Sequence, residues 1–268
     1  MRIFVSSESI MMKKYIMDLK VVENIRLHPN YCLLKLKADV ALPEMTPGQF
    51  VEVRVDGSPE TFLRRPISIN YVDRDKNELW LLIQIVGEGT RHMATYQVGE
   101  KMNLILPLGK GFSIPQHQLD CLLIGGGVGT APLLYMGEKL KQNGITPEFL
   151  LGARSAADLM QLDDFSRYGL VHITTEDGSA GEKGYVTDHT VLQGKPFDRI
   201  YTCGPKPMMK AVARYAASVG TTCEVSLENT MACGIGACLC CVEQTQEGHV
   251  CVCTEGPVFN INQLTWLS

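Results

Sequence analysis

The chain has 268 residues, 45% of them apolar and 20% charged, and a formal net charge of −4. At about 150 residues per domain that length predicts roughly two domains and at most a small third, and the composition excludes a disordered or collagen-like chain. The acidic balance argues against nucleic acid as a partner, and the longest uncharged stretch, residues 121–137, is cut by five glycines and one proline and so reads as no membrane helix.

The first 17 residues carry no apolar core long enough for a signal peptide and read as an N-terminal extension. Residues 18–114 read as short strands between turn signals, at 32–38, 49–55, 67–72 and 78–86. That spacing predicts a small antiparallel β-barrel. Over 115–225 the rhythm changes to strands at 119–126, 148–153, 171–177 and 198–204 alternating with helical stretches at 131–144, 155–169 and 206–220. Such alternation predicts a parallel-sheet α/β domain of the nucleotide-binding kind. Residues 226–268 are too few for a core of their own, a lack that a bound metal would offset. The expected fold class is α+β, with several domains.

Ten cysteines are too sparse for a disulfide scaffold, but six of them (Cys233, Cys238, Cys240, Cys241, Cys251 and Cys253) fall within 21 residues. Cys233, Cys238 and Cys241 are spaced Cys-x4-Cys-x2-Cys with Cys253 more distant, the spacing of plant-type [2Fe-2S] ligation. Gly234 and Gly236 would let that loop fold with its N–H groups toward sulfur. A zinc site usually takes paired Cys-x2-Cys knuckles, of which only one exists here, yet zinc stays open as an alternative. The thiols are expected to be reduced or metal-bound, in the cytoplasm.

Three further motifs sit where ligands bind. Gly125, Gly126, Gly127, Gly129 and Thr130 lie between a strand and a helix, where glycines let a phosphate approach the backbone. Their spacing is not the Gly-x-Gly-x-x-Gly fingerprint. Cys203, Gly204 and Pro205 stand at another strand-to-helix junction, on the sheet edge that binds ligands in open α/β folds. In the β-rich half, Arg64, Arg65, Pro66, Ile67 and Ser68 offer guanidinium groups for a phosphate and a hydroxyl, and Gly89 and Thr90 open a short helix nearby. Each motif taken singly also fits an ordinary turn.

In this order the motifs resemble the ferredoxin–NADP reductase superfamily. The stretch from Met231 to Glu243 and that from Val252 to Phe259 resemble, more narrowly, the electron transfer subunits of the B-type, NAD-dependent dihydroorotate dehydrogenases. The likeness covers nearly all of residues 18–268. It implies an FAD-binding barrel over 18–114, an NAD-binding domain over 115–225 and a [2Fe-2S] domain over 226–268. Carried over residue by residue, Arg65 would meet the flavin pyrophosphate, with Pro66 and Ile67 beside the flavin and Ser68 near its N5. Leu82, Ile83 and Gln84 would run along the flavin, and Gly89 and Thr90 would hold its phosphates. Gly126, Gly127, Gly129, Thr130, Cys203, Gly204 and Pro205 would line the nicotinamide nucleotide site. Cys233, Cys238, Cys241 and Cys253 would hold the irons. Cys253 is preferred to Cys251 because it stands three residues before Gly256 and Pro257, as in the family pattern.

The resemblance also implies an oxidoreductase with no general acid or base of its own. Its partner would be an FMN-containing catalytic subunit, two of each forming a heterotetramer. Arg154 and Ser155 could accept a 2′-phosphate, but Glu176 and Asp177 disfavour one, which points to NAD. Two departures stand out. Ile67 occupies a slot that is aromatic in many relatives, and Cys240 replaces a small residue. The rival readings are a subunit of an NADH-dependent ferredoxin:NADP+ oxidoreductase or sulfhydrogenase, and a non-enzymatic zinc module. The first of these often has Asp where this chain has Cys233.

Overall fold

A computed structural model describes residues 13–267. The extension is shorter than expected. β1 (Tyr15–His28) already begins at Tyr15, and Tyr15, Ile16 and Met17 pair with Leu106, Ile105 and Leu104; residues 1–12 lie outside the described residues. Next come β2 (Tyr31–Lys37), β3 (Phe50–Val53), β4 (Arg65–Ser68), β5 (Tyr71–Asp73), β6 (Glu78–Gln84), the short helix α1 (Glu88–Met93) and β7 (Lys101–Leu108). All seven strands join one curled antiparallel sheet in the order β4-β3-β7-β1-β2-β6-β5. The single strand expected over 67–72 is two strands, because the chain bends at Ile69 and Asn70, whose N–H groups bond to Gln49 and Trp80 on different neighbours.

Side chains alternate across a strand, so β6 serves two cores at once. Leu79, Leu81 and Ile83 point into the barrel with Leu34, Leu36, Val53 and Leu104, whereas Trp80 and Leu82 pack outward with Tyr31, Leu33 and Ala131. Each fully buried aliphatic side chain contributes about 1.5–3 kcal/mol.

The second unit comprises β8 (Cys121–Gly126), α2 (Ala131–Gln142), β9 (Glu148–Ala153), α3 (Leu162–Ser166), β10 (Leu170–Thr175), β11 (Glu182–Lys183), β12 (Arg199–Cys203), α4 (Lys206–Ser218) and β13 (Thr222–Ser226). Its strands are parallel in the order β11-β10-β9-β8-β12-β13. The order reverses between β8 and β12, the switch point where open α/β sheets bind ligands.

The helix expected over 155–169 is mostly absent. Residues Ala156–Asp158 form one 3-10 turn, Leu159 is extended, Gln161 is left-handed at φ 56°, and only Leu162–Ser166 are helical. A local bond competes with the helix at its start, where the Ser155 hydroxyl donates to Asp158 at 2.9 Å, and long-range contacts act on the residues that follow. Met160 is drawn into the cluster around Tyr31 and Trp80. A left-handed residue with a side chain costs about 1–2 kcal/mol, so something must hold Gln161 there.

The last segment does not pack by itself. After the hairpin of β14 (Val242–Thr245) and β15 (Gly248–Cys251) and one helical turn, α5 (Val252–Glu255), strand β16 (Val258–Asn260) adds antiparallel to β13. Val252, Cys253, Phe259, Ile261, Leu264 and Trp266 share a core with Met209 and Val225 of the nucleotide domain. The segment therefore borrows apolar partners across the boundary drawn at 226.

At the far edge of this sheet His172 Nε2 lies 2.6 Å from Glu148, and the ring of His189 packs edge-on against it. His189 Nδ1 accepts from the Val191 N–H at 3.0 Å, which leaves the proton on Nε2 facing Glu182. Burial lowers the His189 pKa below its ordinary 6.5, with His172 adding to that and Glu182 opposing it. The unfolded chain then takes up the proton more readily. The stabilisation is complete above pH 6.5 and is lost as pH falls below it. His189→Asn keeps an acceptor near the Nδ1 position but does not titrate. Thermal melting between pH 8 and 5 should fall less steeply for this variant than for the parent; parallel curves would refute the assignment.

Candidate cofactor cleft and cysteine loop

A cleft of about 360 Å³ opens where barrel, nucleotide domain and C-terminal segment meet. Pro66, Ile67 and Ser68 of β4, Leu82 and Gln84 of β6 and Thr90 of α1 form its barrel side. Val128 and Ala131 come from the glycine run, and Ser226, Leu227, Asn229, Thr230 and Met231 from the approach to the cysteines. Its volume lies in the usual range for a small-molecule site. Ile83 does not line it: the strand alternation turns its side chain, 0% exposed, into the barrel core, so only its main chain is available there.

The two arginines divide their work. Arg64 donates to Glu52 O and Asn103 O, both at 3.1 Å, and to Asn103 Oδ1 at 2.6 Å, and so it ties strands together. Arg65 bonds only to the neighbouring carbonyls of Leu63 and Arg64 and lies against the start of α1; a Cβ on Gly89 would stand 2.9 Å from its Nε. The Thr90 hydroxyl is occupied. It accepts the N–H groups of Val86 and Gly87 at 3.0 Å and donates to Gly87 O at 3.1 Å. An anion beside Arg65 would therefore meet the free main-chain N–H groups of that first turn.

On the nucleotide side, β8 ends at Gly126 and a 3-10 turn, Gly127–Thr130, leads into α2. Gly127 is left-handed at φ 56°, and a Cβ on Gly129 would stand 2.4 Å from Gly204 Cα. The glycine run and the Cys203–Gly204–Pro205 turn are thus in backbone contact. Thr130 does not cap α2; its hydroxyl closes the turn by donating to Gly127 O at 3.0 Å. Pro205 and Met208 pack beneath Gly126. Cys203 is 1% exposed and does not line the cleft; burial drives its thiol pKa well up, so it stands as a neutral thiol beside Ser226, which does line it.

The cysteine loop presents N–H groups to sulfur. Gly236 N–H donates to Cys253 Sγ at 3.1 Å, Cys253 N–H to Cys241 Sγ at 3.4 Å and Ile235 N–H to Cys233 Sγ at 3.5 Å. Desolvation raises the Cys233 pKa, but the N–H groups of Ile235, Cys238 and Ala237 outweigh it and bring the thiol down to about 6. Among the described residues no three His, Cys, Asp or Glu side chains converge on one point; the thiols stand as pairs, Cys233 with Cys238 and Cys241 with Cys253. Four cysteine sulfurs, three of them receiving main-chain N–H groups, are a donor set that suits an iron–sulfur cluster. Cys240 is exposed, Cys251 touches Cys241, and His249 is exposed on the hairpin.

Residues 228–265 match the family described as the iron-sulfur cluster binding domain of dihydroorotate dehydrogenase B, and residues 123–214 match the oxidoreductase NAD-binding domain. The dihydroorotate dehydrogenase B (NAD(+)) electron transfer subunit of Fusobacterium nucleatum is 38% identical over 250 residues, covering 90% of this chain and 95% of that protein. The corresponding subunit of Shouchella clausii is 40% identical over 238 residues, covering 86% and 91%. The chain belongs to the family of dihydroorotate dehydrogenase B electron transfer subunits. A solved NADH-dependent reduced ferredoxin-NADP oxidoreductase superposes with a TM-score of 0.84 at 28% identity, covering 92% of this chain and 90% of that one. The ferredoxin reductase of carbazole 1,9a-dioxygenase, at 0.66 and 21% identity over 79% and 68%, shares the fold.

Sequence reasoning missed the stretch from Ser226 to Met231 and also Glu52. That carboxyl is 0% exposed with both oxygens unpartnered, and burial raises its pKa to about 7. Its side chain fills the space beside Gly234, where a Cβ would stand 2.5 Å from Glu52 Cγ. One acid in a barrel strand gives no sequence signal of a partner 182 positions away. In the purified, dithionite-reduced protein, Cys253→Ser should abolish the paramagnetic signal of the cluster and Cys251→Ser should preserve it. The reverse would make Cys251 the fourth ligand.

Proposed function

We propose that this chain takes electrons from a catalytic partner subunit, which oxidises dihydroorotate to orotate at FMN, and delivers them through [2Fe-2S] and FAD to NAD+. The observation that carries the reading is one cleft lined by Pro66, Ile67 and Ser68, by Val128 and Ala131 of the glycine run, and by the lead into the cysteine loop. FAD bound there would supply the exchange between one-electron iron chemistry and two-electron hydride chemistry. Overall, dihydroorotate and NAD+ give orotate, NADH and one proton.

In this reading the chain's own residues bind and orient. Arg65 and the first turn of α1 take the flavin phosphates, while Leu82, Gln84, Pro66, Ile67 and Ser68 shape the slot for the ring. The backbone contact between Gly129 and Gly204 keeps side chains out of the nicotinamide approach. Main-chain bonds from Glu176 N to Ala153 O and from Asp177 N to Arg154 O, at 3.1 and 3.2 Å, set two acids beside Arg154. Carboxylates there oppose a 2′-phosphate, which supports NAD.

Ile235, Leu239 and Val242 are exposed around the cysteines, an apolar rim suited to the catalytic subunit. A two-plus-two assembly in the cytoplasm is the arrangement we favour. Among the described residues no helix is long and apolar enough to cross a membrane, and all ten cysteines are free thiols. The likeness to the NADH-dependent ferredoxin-NADP oxidoreductase favours a second reading, with ferredoxin in place of the catalytic subunit.

Co-expression with a dihydroorotate dehydrogenase catalytic subunit should give a coloured complex that forms NADH when dihydroorotate is added. No complex, or NADH oxidation coupled to ferredoxin alone, would favour the second reading. A colourless protein containing zinc would remove both.

A further inference from the structure

The barrel and the nucleotide domain are joined across the cleft by a pair of side-chain amides. Asn70, two residues beyond Ser68, is 0% exposed and is held by its own N–H to Trp80 O at 3.0 Å. Its Nδ2 donates to Ala131 O at 3.0 Å and to Gln161 Oε1 at 3.1 Å, and its Oδ1 accepts from Gln161 Nε2 at 3.2 Å. Every side-chain bond of this barrel residue thus crosses to the nucleotide domain. Ala131 is the first residue of α2 and lines the cleft directly after the glycine run.

A second observation stands apart from these bonds. Gln161 is one of three non-glycine residues with positive φ among those described, at φ 56° and ψ 28°. A backbone held in that region by an interaction elsewhere is a common mark of a functional constraint. Its reciprocal bond with Asn70 is such an interaction, and its Nε2 also approaches Asp164 at 3.4 Å.

We infer that Asn70 and Gln161 are positioning residues for hydride transfer: their amide pair fixes the glycine run, and the nicotinamide it carries, at one distance from the flavin slot. This rests on the cleft being the shared FAD and NAD site. Ser68 and Ala131 both line the slot, and Asn70 is tied by two residues of chain to the first and by a hydrogen bond to the second. Misplacement of reacting groups by about 1 Å costs on the order of 100-fold in rate.

Gln161→Gly separates positioning from folding. Glycine adopts positive φ freely, so this variant relieves the backbone while leaving the buried Asn70 Oδ1 without its donor; the two effects oppose each other, and the melting temperature should stay within about 5 °C of the parent. Anaerobic stopped-flow reduction of the flavin by NADH should show a limiting rate at least about 10-fold lower, with the NADH concentration for half-maximal rate changed by less than about threefold. FAD content and the paramagnetic signal of the cluster should match the parent. Asn70→Ala should slow the same step, and Gln161→Asn, which tolerates the left-handed backbone and keeps an amide, should recover part of the rate. A Gln161→Gly variant that reduces its flavin as fast as the parent overturns the positioning role and leaves the site reading intact. A parent whose bound flavin NADH does not bleach overturns the site reading, and the positioning role with it.

Discussion

Backbone contact at the sheet's switch point is the constraint on which the rest of the molecule depends. β8 and β12 lie side by side with Gly125 paired to Cys203, and the loops that leave them meet at Gly129 and Gly204 with no room for a side chain. Because the strand order reverses there, both helices diverge and leave an opening above the sheet. The barrel closes one side of that opening through the outward face of β6, where Trp80 and Leu82 pack on Ala131. The third side is the chain leaving β13. Were the two loops pushed apart by a single methyl group, the cleft's back wall and the start of α2 would move together.

Much of this was legible in the residues. Short runs between turn signals marked the barrel strands, the apolar run at 119–126 marked a strand of the α/β domain, and the cysteine spacing matched that of plant-type [2Fe-2S] ligation. What stayed hidden was set by partners distant in sequence. Residues 155–169 carry a helix-compatible composition, but Met160 and Gln161 answer to Tyr31, Trp80 and Asn70 instead. Tertiary contact overrode local propensity there. The division of labour between Arg64 and Arg65 was equally unreadable, since it depends on Asn103, nearly forty residues away.

Individual site residues show the same limit in finer grain. Leu82, Ile83 and Gln84 were taken together as one strand along a flavin, yet a strand shows only alternate side chains to one face. Thr90 and Thr130 both carry hydroxyls at the right place, and both spend them on their own turns. Sequence motifs therefore located backbone at or beside the cleft while overstating what the side chains do.

The cysteine loop is tied at its base before any metal–sulfur bond is considered. Leu227 N–H donates to Pro257 O at 2.9 Å, and β16 continues that pairing along β13. Loop closure is an entropic cost that grows only slowly with length, and here the sheet meets it. Iron ligation then has only short internal spans to order, and Phe259, Ile261 and Leu264 keep their partners in the nucleotide domain either way. The two ends of the loop are thus held together by main-chain pairing and not by the sulfur ligands alone.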